Sequence, residues 1–165
     1  MARERETPRT EKDRRPYLLQ FEEGEKRLLG PRQAPNWVKA DPSKGSSRMT
    51  ALLEVIAPGD GIPEHLHEGE DELIFIHAGK ALVLLDGEEH RAQAGALAFV
   101  PQDVWHAVRN PSADEDLVML AVFNPPGIEG YFRGFSIEPG ETWEAMPVDA
   151  ERALEKKHGI VYRES

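Results

Sequence analysis

Short apolar runs separated by turn residues fill most of the chain and exclude most fold classes. The stretches PGDG at 58–61, AG at 78–79 and DG at 86–87 interrupt them at hairpin spacing. Many short strands without intervening helices indicate a sandwich or a barrel rather than a parallel α/β sheet. We expect each of the two dipeptides to turn a hairpin. The runs read as strands include YLLQF at 17–21, WVKA at 37–40, MTALLEVIA at 49–57 and LVMLAVF at 117–123.

The chain of 165 residues is most simply one domain. We expect a charged, disordered arm at 1–16, a β-barrel at 17–124 and a helical extension at 125–165 that packs on the barrel. Within the extension, PVDAERALEKKHG predicts a helix with Asp149 as its N-cap, Leu154 facing inward and Gly159 just past its end.

Composition narrows the range of partners. With 20 Lys and Arg against 30 Asp and Glu, the net charge of -10 disfavours nucleic acid and anionic membranes, so a small molecule or another protein chain is expected. The absence of cysteine excludes disulfides, thiolate metal sites and cysteine nucleophiles. No apolar signal-peptide core and no run near the roughly 20 residues of a membrane span is present. We therefore expect a cytoplasmic protein.

The stretch HLHEGEDE at 65–72 contains two histidines one residue apart and ends in a carboxylate. In a strand, His65 and His67 point to the same face. A hairpin reversal would bring Glu72 beside them, and His106 is a fourth candidate at the start of a later strand. Three imidazoles and one carboxylate suit borderline divalent metals and leave coordination positions open. The alternative interpretation is that these are ordinary surface histidines, which is the more common role of an isolated His-x-His pair.

The spacing around these residues resembles the two sequence motifs of the cupin superfamily. The motif G-x5-H-x-H-x3,4-E-x6-G matches residues 59–79, and G-x5-P-x-G-x2-H-x3-N matches residues 95–110 except that Asp103 stands in place of glycine. Asp adopts the left-handed turn conformation more readily than most residues, so the departure leaves the ligand positions intact. The resemblance implies a metal site of His65, His67, Glu72 and His106.

The resemblance also implies an all-β fold, the cupin jelly-roll barrel or double-stranded β-helix, with a short C-terminal helical tail. The tail VFNPPGIEGYFRGF is similar to those of small single-domain cupins described as quercetin-dioxygenase-like. Open edges of such barrels are often covered by a strand of a second subunit, so we expect a homodimer with residues 17–40 at the contact.

The expected chemistry is that of a metal-dependent dioxygenase acting on a small chelating substrate such as an enediol, flavonol or β-diketone. The expected cofactor is Fe(II) or another first-row divalent ion: Mn, Ni, Zn, Co or Cu. Glu72 is also the candidate catalytic residue, as a general base with a shifted pKa. Two alternatives stay open: an oxygen-independent metal-dependent isomerase, lyase or decarboxylase, and a non-catalytic cupin that binds or senses a small molecule.

The remaining residues are assigned structural roles. An apolar inner wall is predicted from Leu53, Val55, Ile74, Ile76, Leu82, Leu84, Val108, Met119 and Ala121. We expect His77 and His90 to be surface histidines, His158 to lie at a helix C-terminus, where a cation is favourable, and Asp71 to face away from the metal ligands. Packing roles are expected for Trp105, Tyr131 and Phe132, and a surface position for Arg133.

Overall fold

The computed structural model describes residues 15–163 and consists of two antiparallel sheets that face each other. The seven-stranded sheet has the order β11-β1-β2-β3-β10-β5-β8, and the five-stranded sheet has the order β12-β4-β9-β6-β7. The strands are β1 (Glu25–Leu29), β2 (Ala34–Ala40), β3 (Thr50–Ile56), β4 (Gly61–His67), β5 (Asp71–Ala78), β6 (Lys80–Leu85), β7 (Glu88–Gln93), β8 (Leu97–Val100), β9 (His106–Arg109), β10 (Leu117–Asn124), β11 (Ser136–Ile137) and β12 (Ile160–Tyr162). The helices are α1 (Glu129–Phe135) and α2 (Val148–Lys157). The predicted jelly-roll barrel with a short helical tail is confirmed.

The apolar core fills the space between the sheets, and the predicted inner wall is half right. Ile74, Ile76, Val108, Met119 and Ala121 lie in this core. The prediction is wrong for β3 and β6, where the neighbouring positions face inward. A shift of one residue moves a whole strand to the other face, and a continuous apolar run gives no alternation to reveal it. The outward residues are Leu53 and Val55, which pack beside Trp37, and Leu82 and Leu84 on the outer side of β6.

One of the two predicted hairpins exists. Asp86 and Gly87 turn β6 into β7 with φ angles of 48° and 84°, as a tight primed turn requires. Ala78 and Gly79 instead carry the chain from β5 in one sheet to β6 in the other. Gly79 is required there because a Cβ atom would lie 2.5 Å from the carbonyl oxygen of Asp116.

The C-terminal segment adds a strand to each sheet. β11 pairs with β1, and β12 pairs with β4 so that Tyr162 lies opposite His65. Helix α2 begins after Pro147, and Asp149 lies in its first turn without capping it, so the predicted N-cap is wrong. Pro147 occupies the N-cap position in an extended conformation, so the helix begins without a capping side chain. As predicted, Leu154 packs against the core and Gly159 follows the helix with a φ of 64°.

The N-terminal segment crosses the outer face of the seven-stranded sheet. Residues 17–21 were expected to form a strand but contain none; Lys39 Nζ instead donates to the carbonyl oxygen of Gln20 at 2.9 Å. The predicted disordered arm at 1–16 lies outside the described residues except for its last two. No helix within residues 15–163 has the length and apolar character needed to cross a membrane.

Candidate metal centre

Four side chains converge inside the barrel, and they are the four predicted from the sequence. One nitrogen or oxygen from each of His65, His67, Glu72 and His106 lies within 4.8 Å of the others, and all four residues are buried. His65 and His67 lie on β4, and His106 lies opposite His65 on the neighbouring strand β9. Glu72 lies on β5, in the facing sheet. The predicted hairpin between β4 and β5 is therefore wrong, and the convergence comes from the packing of the two sheets.

The Glu72 carboxylate lies between two of the rings. One of its oxygens is 2.9 Å from His106 Nε2 and 3.3 Å from His67 Nε2. The centroids of the His65 and His106 rings are 4.2 Å apart. The cluster of four side chains contains no lysine or arginine. A divalent cation is the group that three imidazoles and a carboxylate hold best.

Backbone carbonyl groups fix two of the three imidazoles. His65 Nδ1 donates to the Pro63 carbonyl at 2.8 Å, and His106 Nδ1 donates to the Val104 carbonyl at 3.0 Å. A proton on Nδ1 is the arrangement of a metal-binding histidine, because Nε2 is then the atom that would bind an ion. Without metal, the Nε2 of His106 instead donates a hydrogen bond to Glu72 at 2.9 Å.

The third imidazole, His67, has no hydrogen-bond partner for either ring nitrogen among the described residues. Its Nδ1 lies 3.9 Å from a buried oxygen of Glu70 that is also unpaired within residues 15–163. Buried polar atoms are nearly always paired, so the orphaned Nε2 of His67 indicates a missing partner at the cluster. The residues present therefore fit a metal ion.

Burial and mutual charge set the protonation of the cluster. Burial and the two neighbouring imidazoles lower the pKa of His65 to about 3, which keeps it neutral as a ligand must be. Burial alone would raise the pKa of Glu72, but the hydrogen bond from His106 and the proximity of His67 lower it to about 2. Burial opposes protonation of His106, yet its hydrogen bond to Glu72 leaves its pKa raised.

Two residues of the second motif, Asp103 and Asn110, hold turns beside the site. Asp103 has a φ of 64°, and its backbone N–H donates to the His67 carbonyl at 2.9 Å, which ties the turn before β9 to β4. The Asn110 amide donates to the carbonyls of Ile56 and Glu115 at 2.9 and 2.8 Å. Asp103 therefore adopts the left-handed conformation for which the motif has glycine.

A cavity of about 330 Å³ adjoins the cluster, with His65 and His67 in its wall. Most of the wall is apolar or aromatic. Six polar side chains besides the two histidines also line it, none of which the sequence pattern marked as a site residue: Arg32, which pairs with Asp60, and Asn36, Glu54, Asp60, Tyr131 and Tyr162. A single carboxylate inside the apolar run of β3 was the available signal for Glu54, because a charge among core residues is unusual. For Asn36 the sequence offers no comparable signal.

The other residues singled out from the sequence lie mostly where expected. His77 and His90 are exposed, and Asp71 faces away from the cluster, where it accepts a hydrogen bond from the Gln102 N–H at 3.1 Å. Arg133 is not a free surface residue, because its guanidinium lies 2.6 Å from both Glu25 and Asp41. Trp105 packs against Arg163, Tyr131 and Phe132 line the cavity, and His158 Nδ1 lies 3.1 Å from the carbonyl oxygen of Gly127.

Comparison with known proteins gives consistent results. The family model of the cupin domain matches residues 52–123, a range that includes all four candidate ligands. Quercetin 2,3-dioxygenase from Bacillus subtilis (strain 168) is 35% identical over 65% of this chain and 31% of the relative. Gentisate 1,2 dioxygenase 1 from Aquipseudomonas alcaligenes is 30% identical over 69% of this chain and 34% of the relative. The chain therefore spans about a third of the length of these two dioxygenases.

A solved structure is similar to this chain over most of its own length. The protein TT1209 from Thermus thermophilus superposes with a TM-score of 0.52 at 30% identity, over 59% of this chain and 88% of that one. The family model and a solved RmlC-like cupin from Shewanella frigidimarina NCIMB 400 identify the shared fold as that of the cupins; that structure superposes with a TM-score of 0.57 at 19% identity, over 67% of this chain and 92% of that one. On these grounds the chain belongs to the cupin superfamily.

Proposed function

We propose that this protein is a metal-dependent dioxygenase-like enzyme that acts on a small chelating organic substrate. The observation that carries the proposal is the placement of four buried metal-type donors beside a largely apolar cavity. His65, His67, Glu72 and His106 would hold one divalent ion. Bound Fe(II), or another first-row divalent ion, would supply positive charge to adjacent substrate oxygens and the redox capacity for reaction with dioxygen.

The protein side chains bind and orient the substrate and keep water out. The aromatic walls favour a flat, conjugated molecule such as a flavonol, enediol or β-diketone. The similarity to quercetin and gentisate dioxygenases supports oxygen-dependent chemistry over the alternatives.

Glu72 is the proposed catalytic residue as well as a ligand. Its pKa is lowered to about 2, the opposite of what a strong general base needs. We therefore propose that Glu72 accepts a hydrogen bond from a substrate hydroxyl group but does not take up its proton. Its position 2.9 Å from His106 places that negative charge within the cluster of imidazoles.

The test is metal analysis of protein purified without chelators or a histidine tag, followed by oxygen uptake after anaerobic Fe(II) loading. Flavonols, β-diketones and catechols form the substrate panel. We expect about one metal ion per chain, loss of that ion in His67→Ala, and wild-type metal content in His77→Ala, whose ring is exposed on the outer face of β5.

The outcomes separate the function classes. Substrate-dependent oxygen uptake supports the dioxygenase. Metal binding without uptake would favour an oxygen-independent isomerase, lyase or decarboxylase, or a sensing protein. Retention of metal by His67→Ala would contradict the ligand assignment itself.

The setting of the enzyme is also part of the proposal. The net charge of -10 supports a small-molecule substrate with neither nucleic acid nor membrane as partner. We propose a cytoplasmic homodimer, which cell fractionation and solution mass measurements test.

A further inference from the structure

Two polar side chains from the seven-stranded sheet project into the apolar cavity. Asn36 on β2 and Glu54 on β3 are direct register partners across the strand pair. They are 4% and 6% exposed, and both line the cavity that His65 and His67 also line. The pair therefore faces the cavity beside the metal centre from the sheet opposite the three histidines.

The fold makes little use of the polar atoms of this pair. The Asn36 amide nitrogen donates to the Ala34 carbonyl at 3.2 Å, but its Oδ1 has no hydrogen-bond partner within residues 15–163. The pKa of Glu54 is raised to about 8 by burial and by the charge of Glu72, with no contribution from a hydrogen bond of a described residue. Buried polar groups without partners destabilise a fold, so a purely structural role would be served better by apolar side chains.

The two groups together match one kind of ligand. A protonated carboxyl group donates through its O–H and accepts through its carbonyl oxygen, and the Asn36 Oδ1 accepts. A hydroxyl group, which both donates and accepts, satisfies this combination. A carboxylate fits less well, because it has no hydrogen to donate to Asn36 Oδ1 and because the ionised Glu72 lies in the same interior.

We propose that Asn36 and Glu54 form a recognition subsite for an uncharged hydroxyl group on an aromatic substrate. Aromatic side chains in the wall of the same cavity supply the apolar remainder of the subsite: Phe123, Tyr131, Phe132, Phe135 and Tyr162. The inference rests on the proposed function for the direction in which the substrate lies, with its chelating oxygens toward His65 and His67. Recognition of the hydroxyl group itself needs neither metal nor oxygen.

The experiment measures binding of three matched probes to the full chain without metal, so that no probe oxygen is held by an ion. The probes are 2-naphthol, 2-methylnaphthalene and 2-naphthoate, which differ in one substituent. Protein is titrated into each probe at fixed low concentration, and the naphthalene fluorescence reports binding. We expect 2-naphthol to bind at least about tenfold more tightly than either of the other probes. 2-Methylnaphthalene offers the buried pair no hydrogen bond, and 2-naphthoate brings a negative charge into the interior that contains Glu72.

Substitutions assign that preference to the pair. Glu54→Gln keeps an uncharged donor and acceptor and should retain 2-naphthol binding within about threefold. Glu54→Leu and Asn36→Leu should each reduce the preference for 2-naphthol over 2-methylnaphthalene to about twofold or less. Glu89→Leu, at an exposed position on β7, is the matched control and should leave the preference unchanged.

Binding of 2-methylnaphthalene serves as the folding control in each variant, because it needs the cavity but not the polar pair. The inference is overturned if wild type binds the three probes equally, if it binds none, or if both leucine variants keep the preference. These results are independent of metal content and oxygen uptake, on which the proposed function itself depends.

Discussion

At the scale of single residues, the carboxyl group of Glu54 should make stability depend on pH. Its pKa in the folded chain is about 8, against an ordinary value of 4.5, so the folded state holds the proton more tightly than the unfolded state. The free energy of unfolding of metal-free protein should therefore fall as pH rises from about 4.5 to 8, by about 1.4 kcal/mol per unit of pKa difference at most. Glu54→Gln should remove this loss and be the more stable protein at pH 8.5.

Urea unfolding at pH 5 and pH 8.5 measures the effect. Other groups titrate in the same interval, so the difference between wild type and Glu54→Gln isolates Glu54. Glu89→Gln, an exposed carboxylate on β7, should follow wild type at both pH values. Equal pH dependence in Glu54→Gln and wild type would show that Glu54 is ionised in the folded protein at neutral pH.

A second residue-scale prediction concerns Glu70, which lies 3.9 Å from His67 Nδ1. Burial is the main cause that raises the pKa of Glu70 to about 7. Once Nε2 of His67 binds a metal, its Nδ1–H is left to donate to this side chain, and such partners orient the ring. Loss of an orienting partner typically weakens metal binding by about 10-fold to 100-fold.

We therefore expect Glu70→Ala to lower Zn²⁺ affinity by at least about tenfold, and Glu70→Gln, which keeps an acceptor, to lower it less. Competition with a chelator of known affinity measures both. Glu68→Ala, at an exposed position two residues away, is the control. Equal affinity of Glu70→Ala and Glu68→Ala would mean that Glu70 has no part in holding His67.

At the scale of elements, spacing predicted which four side chains converge in the barrel but not the way they meet. The positions of His65, His67 and Glu72 follow from the motif and from strand alternation. The fold class follows from the turn residues between apolar runs. The hairpin between β4 and β5 was wrong because spacing along the chain does not reveal which strands pair. Glu54 was missed for a related reason, since the apolar run of β3 has no alternation to show which face is inner.

Gly79 and Gly87 test how an element boundary depends on space as well as on backbone angle. Both have positive φ, 83° and 84°. A Cβ at Gly79 would lie 2.5 Å from a backbone oxygen, whereas nothing lies within 4 Å of one at Gly87. Gly87→Ala should cost roughly 1 kcal/mol from backbone strain alone. Gly79→Ala should cost roughly 2 kcal/mol more, because the start of β10 must move.

Urea unfolding of the two variants checks this difference. The glycines have nearly the same φ angle, so each is the control for the other. Similar losses of unfolding free energy in both variants would mean that the connection between the sheets can accommodate a methyl group. Only the backbone angle would then require glycine at residue 79.

At the scale of the whole molecule, the outer face of the seven-stranded sheet is the surface best suited to a second copy of the chain. β8 forms one edge of that sheet and exposes two large apolar residues, beside a third on β5. The N-terminal segment lies across the same face, where the Phe21 ring is 5.9 Å from that of His77. We name as the outer apolar face Tyr17, Leu18, Phe21, Leu73, Leu97 and Phe99.

Exposed apolar patches beside an unpaired strand edge favour association. The 17–40 segment expected at the dimer contact supplies three residues of the outer apolar face, while its strands β1 and β2 pair within their own chain. We therefore predict a homodimer formed through this face, with twice the 18.5 kDa mass of one chain.

Light scattering coupled to size-exclusion chromatography measures the mass. Phe99→Glu places a carboxylate on a side chain that is 56% exposed in the single chain, and should convert the dimer to a monomer, because desolvating an unpaired charge at an interface is unfavourable. Val148→Glu alters an apolar residue of similar exposure, 62%, on α2 and should remain dimeric. The candidate metal ligands are buried on inner strand faces, so the Phe99→Glu monomer should bind metal like wild type. A dimer that persists in Phe99→Glu would place the interface elsewhere, and a monomeric wild type would contradict the homodimer itself.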